Sequence, residues 1–234
     1  MMMNGSEGSR KNCINCTCRS PLFNFLSDSE LELIEKNKIS VLFKKGETIR
    51  KQGTFMTHVL SVNHGLAKVY LEGVNDTNTI LRIIKPTTFI GGPGIYADHI
   101  HHFSVSALIN TMVCFIDLQV FKEIIDTNNK FANEFLKDFS LNVISIYNRL
   151  INLTNKQMPG KMADTLIYLF DEIFQDQKFT LYLSKQDFAD LSGMSKESAI
   201  KVLREFQNEG IIQITNTEIE LLDPEALRKI SRVG

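Results

Sequence analysis

Two groups of residues in this 234-residue chain have the types and spacing to do chemistry. The first lies in Ser184-Lys185-Gln186-Asp187-Phe188-Ala189-Asp190-Leu191-Ser192-Gly193-Met194-Ser195-Lys196-Glu197-Ser198-Ala199-Ile200-Lys201-Val202-Leu203-Arg204-Glu205-Phe206. Ser184 and Ser195 are N-caps for helices over Lys185–Ser192 and Lys196–Asn208, and Gly193 permits the sharp turn between them. Phe188, Leu191, Met194, Ala199, Val202, Leu203 and Phe206 face a core. Lys196, Glu197 and Lys201 are left on the outer side of the second helix. Lysine can donate to guanine O6 and N7, glutamate can accept from cytosine N4, and Ser195 and Ser198 at the helix start suit phosphate oxygens. The bland alternative is a solvated charged face. From residue 161 onward there are nine Lys/Arg against thirteen Asp/Glu, net −4, with the acids mostly on the first helix and near the C-terminus.

The second group is Cys13, Cys16 and Cys18, with Cys114 apart from them. In a reducing compartment such crowding suggests metal or redox chemistry before structural disulfides. The alternative is a tail with surface thiols and a buried Cys114. His99, His101 and His102 form a third, weaker candidate. Imidazoles ligate metals, and cupin-like metalloenzymes build such sites inside barrels, but no acid or further histidine stands at metal-site spacing here.

These residues need elements to position them. Hydrophobic residues make up 43% and charged residues 23%, as in ordinary folded domains. No run approaches the roughly 18 apolar residues of a membrane helix. The opening MMMNGSEGSRKN lacks the apolar stretch of a secretory signal. A cytoplasmic protein with no membrane partner is expected. Net charge is −1, so any nucleic-acid binding must come from a local patch. A polar, cysteine-containing tail occupies residues 1–20, and Ser27 or Asp28 caps a short helix. Six β-rich runs follow: Ile39–Phe43, His58–Val62, Leu66–Leu71, Thr79–Ile84, Ser104–Ala107 and Met112–Ile116. Turn signals separate them, including Asn75-Asp76, and the spacing predicts a sandwich or barrel over 21–128. Gly91-Gly92-Pro93-Gly94 reads as a tight turn bringing bare backbone to a surface. Residues 129–158 read as one long helix. Leu136, Phe139, Val143, Ile146, Leu150, Leu153 and Gln157 recur at steps of three and four, a coiled-coil seam, so a homodimer is expected; the alternative is a long helix packed on its own domain. Pro159-Gly160 is expected to stop that helix as a hinge. Residues 159–234 complete a winged helix-turn-helix, with a hairpin from Ile211–Ile214 and Ile219–Leu222.

Over about residues 22–222 this order resembles the Crp/Fnr family of bacterial transcription regulators. The matching stretches are Phe43-Lys44-Lys45-Gly46-Glu47 with Lys51-Gln52-Gly53, Gly65 to Tyr70, Phe89-Ile90-Gly91, Gly160 to Leu166, and the recognition segment. The resemblance implies an α+β chain: a double-stranded β-helix (jelly-roll, cyclic-nucleotide-binding-like) barrel, a long dimerisation helix and a winged helix-turn-helix. It implies an operator in double-stranded DNA and RNA polymerase as partners, and no enzyme. The competing class is a cupin-like barrel metalloenzyme with an accessory helical domain. Lys196, Glu197 and Lys201 match the family's Arg-Glu-x-x-x-Arg, with lysine for both arginines, which softens base discrimination. Lys185, Ser195 and Ser198 match phosphate-contacting positions. Members that bind cyclic AMP carry Gly-Glu after the phenylalanine and Arg-Ser further on. Here Gly91 is followed by Gly92, and the later stretch reads His99-Ile100-His101-His102-Phe103-Ser104, which argues against cyclic AMP. Fnr-type members hold a 4Fe–4S cluster on three N-terminal cysteines and one barrel cysteine. Cys13, Cys16, Cys18 and Cys114 fall in those regions and would suit such a cluster or zinc. Their Cys-x-x-Cys-x-Cys spacing is tighter than the Fnr pattern.

Overall fold

A computed structural model describes residues 13–74 and 77–234; the opening residues and the Asn75-Asp76 turn lie outside the described residues. Eight short strands build two facing four-stranded antiparallel sheets. β1 (Lys38–Phe43), β8 (Thr111–Asp117), β3 (His58–His64) and β6 (Phe89–Ile90) form one, in that order. β2 (Thr48–Arg50), β7 (Ser104–Ala107), β4 (Ala67–Glu72) and β5 (Asn78–Ile84) form the other. Alternation explains the interior. On β8, Val113 and Phe115 point between the sheets with Leu60, Val62, Val69 and Val105, while Cys114 and Ile116 point outward. All six expected strands are present, and β2 and β6 are additional.

Helices close one flank of this barrel. Ser27 caps α1 (Asp28–Lys36) through a reciprocal box in which Glu30 N–H donates to its hydroxyl and its own N–H donates to the Glu30 carboxylate. α2 (Leu118–Thr127) and the start of α3 (Asn129–Asn155) bury a phenylalanine cluster, with Phe89 stacked on Phe121 and Phe131 and Phe135 edge-on to Phe121.

The long helix ends earlier than the sequence pattern suggested. Lys156 and Gln157 are extended, and α4 (Met158–Ile167) begins there, with Pro159 and Gly160 in its first turn. Proline suits that place because its missing N–H would have had no partner. The hinge therefore lies at 156–157, and Gln157 is not a seam residue. Gly160 has a packing reason as well: a Cβ there would come within 2.6 Å of the Gly234 backbone. The four-residue turn 91–94 also differs from expectation. Gly92 and Gly94 are buried, and a Cβ on Gly94 would sit 2.0 Å from the Ile100 carbonyl, so the bare backbone meets a neighbouring segment and not solvent.

α4 runs on through π-type turns (Tyr168–Phe174). Then follow β9 (Lys178–Thr180), α5 (Lys185–Ser192), α6 (Lys196–Asn208), β10 (Ile212–Ile214), β11 (Glu218–Leu221) and α7 (Pro224–Val233). The expected hairpin is a three-stranded sheet, β10-β11-β9, and α7 was not anticipated. The C-terminal unit packs directly on the barrel. Ile80 and Ile83 of β5 share one continuous core with Leu166, Leu169, Phe188 and Leu191.

Candidate nucleic-acid interface

α5 and α6 are locked by the rules that the sequence advertised. Ser184 accepts from Asp187 N–H at 3.1 Å, and Asp187 accepts the Ser184 N–H at 2.8 Å. Gly193 adopts φ +62°, a left-handed conformation that favours glycine, and a Cβ there would lie 2.8 Å from the Leu153 side chain. Ser195 caps α6 by accepting the Ser198 N–H at 3.2 Å, and its hydroxyl donates to the Ser198 hydroxyl at 3.1 Å. Ala199, Val202, Leu203 and Phe206 bury the inner face.

The outer face is open. Lys196, Glu197 and Lys201 are exposed, as are Ser195 and Lys185, while Ser198 is half-buried. Lys185, Ser195, Lys196, Glu197 and Ser198 stand at the N-terminal ends of α5 and α6, and Lys201 follows one turn after Glu197. Lys201 approaches Glu205 at 3.9 Å, a weak exposed pair that leaves it available. Arg204 belongs with them. It is exposed, three residues after Lys201 and seven after Glu197, hence on the same helical face. That spacing was readable in the sequence. Lys178 is occupied by Glu218 and Glu220 of β11 at 2.9 and 3.7 Å, so the wing strand presents acids balanced by lysine.

Three polar contacts tether this unit to the barrel. Lys68 of β4 meets Asp187 at 2.5 Å, Ile83 N–H donates to the Tyr168 hydroxyl at 2.9 Å, and Lys85 donates to the Glu172 carbonyl at 2.6 Å. Burial works to raise the Asp187 pKa, but the bonds from Lys68 and Ser184 outweigh it and hold the carboxyl below its ordinary value.

A profile for a cyclic nucleotide-binding domain matches residues 40–128, and one for a Crp-like helix-turn-helix domain matches 160–230. Together they cover well over half of the chain. The chain belongs to the Crp/Fnr family of transcription regulators. Electron transport regulator A of Shewanella oneidensis is 23% identical over 97% of this chain and 92% of its own length. The transcriptional activator protein Anr of Pseudomonas protegens is 23% identical over 77% of this chain and 75% of its own. Among solved structures, FixK2 from Bradyrhizobium japonicum superposes with a TM-score of 0.76 at 16% identity, covering 84% of this chain and 98% of that one. A Crp/Fnr-family structure from Eubacterium rectale gives 0.74 at 21% identity, over 91% and 98%. Nothing in these relatives favours a barrel metalloenzyme. No described helix is long and apolar enough to cross a membrane.

In this Crp/Fnr chain a cavity of about 230 Å³ lies between the barrel and α3, where Phe89, Gly91, Gly92, Phe103, Phe135, Phe139, Val143 and Ile146 give it largely apolar walls. Arg82 is the cation on its wall, and it donates to the Asn142 side chain. His101 is nearly fully buried, its Nε2 has no partner, and burial beside Arg50 pushes its pKa down to about 4. His101 is therefore neutral at ordinary pH, and it falls in the stretch where cyclic-AMP-binding members of the family carry an arginine. His99 packs on Phe55 and His102 pairs with Asp98 at 3.1 Å, while the His101 ring is buried, so the three histidines do not share a site.

The cysteines are placed along the outer face of the first sheet but are not gathered. Cys13 is buried, its N–H donating to the Glu35 carboxylate at 2.8 Å, and burial with Glu35 alongside pushes its thiol up to about 12. Cys16 Sγ lies 3.8 Å from Asn63, Cys18 Sγ 3.2 Å from His64 Nε2, and Cys114 Sγ 3.3 Å from the Ser40 hydroxyl. Among the described residues no three His, Cys, Asp or Glu side chains converge as a metal would require. This arrangement does not fit the 4Fe–4S or zinc site that the resemblance implied.

The five expected seam residues of α3 differ in exposure. Ile146 and Leu150 are exposed, but Phe139 and Val143 are half-buried beside the barrel and Leu153 is half-buried against Gly193. The free apolar stripe is Leu136, Ile144, Tyr147, Leu150 and Ile151, each more than half exposed. The barrel and the C-terminal unit have claimed one side of the a/d positions and left the adjoining side bare.

Proposed function

We propose that this regulator binds operator DNA as a homodimer, with α6 of each copy in successive major-groove segments about one helical turn apart. The observation that carries the reading is the α6 face: exposed lysine, glutamate and arginine at helical spacing, backed by a fully buried apolar face. Glu197 and Lys201 read bases with Lys196 and Arg204 beside them, while Lys185, Ser195 and Ser198 anchor phosphates. The dimer forms through the stripe of α3 that this chain leaves bare, because an apolar surface of that kind on a long helix is best covered by a second copy. The apolar cavity between barrel and α3 is the signal site, and its lining favours an uncharged or largely apolar effector over cyclic AMP. RNA polymerase is the further partner, and the cytoplasm is the compartment in which both partners are met. No step is routed through the cysteines.

The test is fluorescence anisotropy of the full chain on a selected operator and a scrambled duplex at several salt concentrations. A glutamate entering the groove is repelled unless a cytosine amino group receives it. Glu197→Ala therefore relaxes sequence preference while leaving scrambled-duplex affinity equal or higher, and Lys201→Ala costs about 1–3 kcal/mol on the operator alone. Lys185→Ala weakens both duplexes alike and lowers the salt slope by about one ion. An unchanged specificity ratio in Glu197→Ala overturns the assignment of α6 as the reading helix.

A further inference from the structure

Where β5, α3 and α4 meet, a groove of about 470 Å³ holds two arginines, Arg82 and Arg149, together with Lys161 and Tyr168. Their situations differ. Arg82 donates to Asn142 Oδ1, and the Asn142 amide donates in turn to the Asp138 carboxylate at 3.0 Å, so its charge has an acid close behind it. Arg149 has no such relay. One of its terminal nitrogens donates to the Leu191 carbonyl at the end of α5. Its Nε is sealed from solvent and has no acceptor. None of the ion pairs among the described residues includes it.

The acids that line the same groove do not supply the missing charge. Asp164 is taken by Lys156 at 2.8 Å and by the Ser231 hydroxyl at 2.6 Å, and Glu172 is exposed to solvent. Burial lowers the Arg149 pKa to about 10, which still leaves it charged at neutral pH. Buried charges in proteins are paired, and a buried donor without a partner calls for an explanation in the form of an occupant.

We propose that this groove is a binding site for a small anionic metabolite, with its carboxylate or phosphate group received by the Arg149 guanidinium and supported by Lys161 and Arg82. A planar guanidinium suits oxyanions of this kind. The volume falls in the range of small-molecule sites, and Leu81 and Ile167 give it apolar wall for the rest of the ligand. The groove is walled by the barrel, the long helix and the DNA-binding unit at once. An occupant that fits it favours this relative placement of the three over others, so the anion regulates where α5 and α6 sit. That consequence rests on the DNA-binding reading above; binding itself does not.

The experiment uses the full chain without DNA, titrated separately with inorganic phosphate and with succinate at constant ionic strength, read by isothermal calorimetry and thermal unfolding. Wild-type protein gives saturable binding and a rising Tm with at least one of the two, and which one responds separates phosphate from carboxylate chemistry. Arg149→Lys keeps the charge but loses the planar guanidinium, and it binds roughly tenfold more weakly. In Arg149→Met the response is lost, while ligand-free Tm is equal or higher because the unpaired charge is gone. A Lys196→Ala/Lys201→Ala variant, altered only on the DNA face, responds as wild type does. Absence of any saturable response in wild type, or equal responses in wild type and Arg149→Met, overturns the proposal. Failure of the DNA assays leaves this result unaffected.

Discussion

His101 should make the stability of the barrel sensitive to acid. The imidazole is 4% exposed, its Nε2 lacks a partner, and its folded-state pKa lies at about 4. An unfolded histidine titrates near about 6.5, so the unfolded chain binds this proton more readily than the native one. The sign follows: stability is lost as pH falls below the unfolded value, and the loss levels off near the folded value. The gap of about 2.5 units corresponds to about 3.4 kcal/mol at its limit, and to about 2 kcal/mol on going from neutral pH to about pH 5. That is a large share of a typical folding free energy of about 5–15 kcal/mol.

The perturbation is His101→Gln, which keeps polar atoms but removes the titration. Urea unfolding of wild type and variant is compared at neutral pH and at about pH 5. Other groups titrate in both proteins, His58 among them, since burial and Arg50 lower its pKa too. The informative quantity is therefore the difference between the two pH slopes. Wild type should lose about 2 kcal/mol more than the variant over that interval. Equal losses would refute the reasoning, and with it the claim that this position is neutral and unfit to hold a phosphate.

Two further outcomes test the placement of the parts. Leu150→Asp or Tyr147→Asp, on the bare stripe of α3, should yield monomers in analytical ultracentrifugation, whereas Phe139→Asp should destabilise the fold because Phe139 lines the barrel cavity. The Lys68–Asp187 pair, with side chains 20% and 9% exposed, should show a coupling of about 1–3 kcal/mol in a double-mutant cycle of Lys68→Ala and Asp187→Asn by urea unfolding, and a coupling near zero would remove it as a tether.

Much of this architecture was legible because local rules and tertiary demands agree. The α5 and α6 bounds were readable to the residue, since Ser184, Gly193 and Ser195 punctuate a buried apolar pattern. β2, β6 and β9 are two or three residues long, too short for alternation to register. α7 carried a signal that went unused: Asp223 accepts the Ala226 N–H as an N-cap, and Pro224 follows it in the first turn. The a/d pattern states which side of α3 is apolar, not how that side is divided between a partner and the chain's own barrel. Lys68 and Asp187 are 119 residues apart, and Arg149 looks like any surface arginine of a long helix until Leu191 and Tyr168 close around it.

The same closure explains how a signal in the barrel can reach the DNA-reading helix without a long relay. Leu81 and Arg82 of β5 and Ser145 of α3 line both the apolar cavity and the anion groove, so one wall separates the two sites. An effector that moves Phe139 or Val143 moves α3 relative to β5, and that wall moves with it. On the far side stand Tyr168, fixed to Ile83 of the same strand, and Arg149, fixed to the Leu191 carbonyl in the last turn of α5. Ile80 and Ile83 are already in the core that holds Phe188 and Leu191. A close-packed core transmits such a shift as a change between discrete packings and does not absorb it smoothly. Coupling between effector and DNA is then a matter of which packing each prefers. On the reading proposed above, substitutions at the shared wall of Leu81, Arg82 and Ser145 alter that coupling, whereas substitutions at the exposed lysines of α6 alter DNA affinity alone.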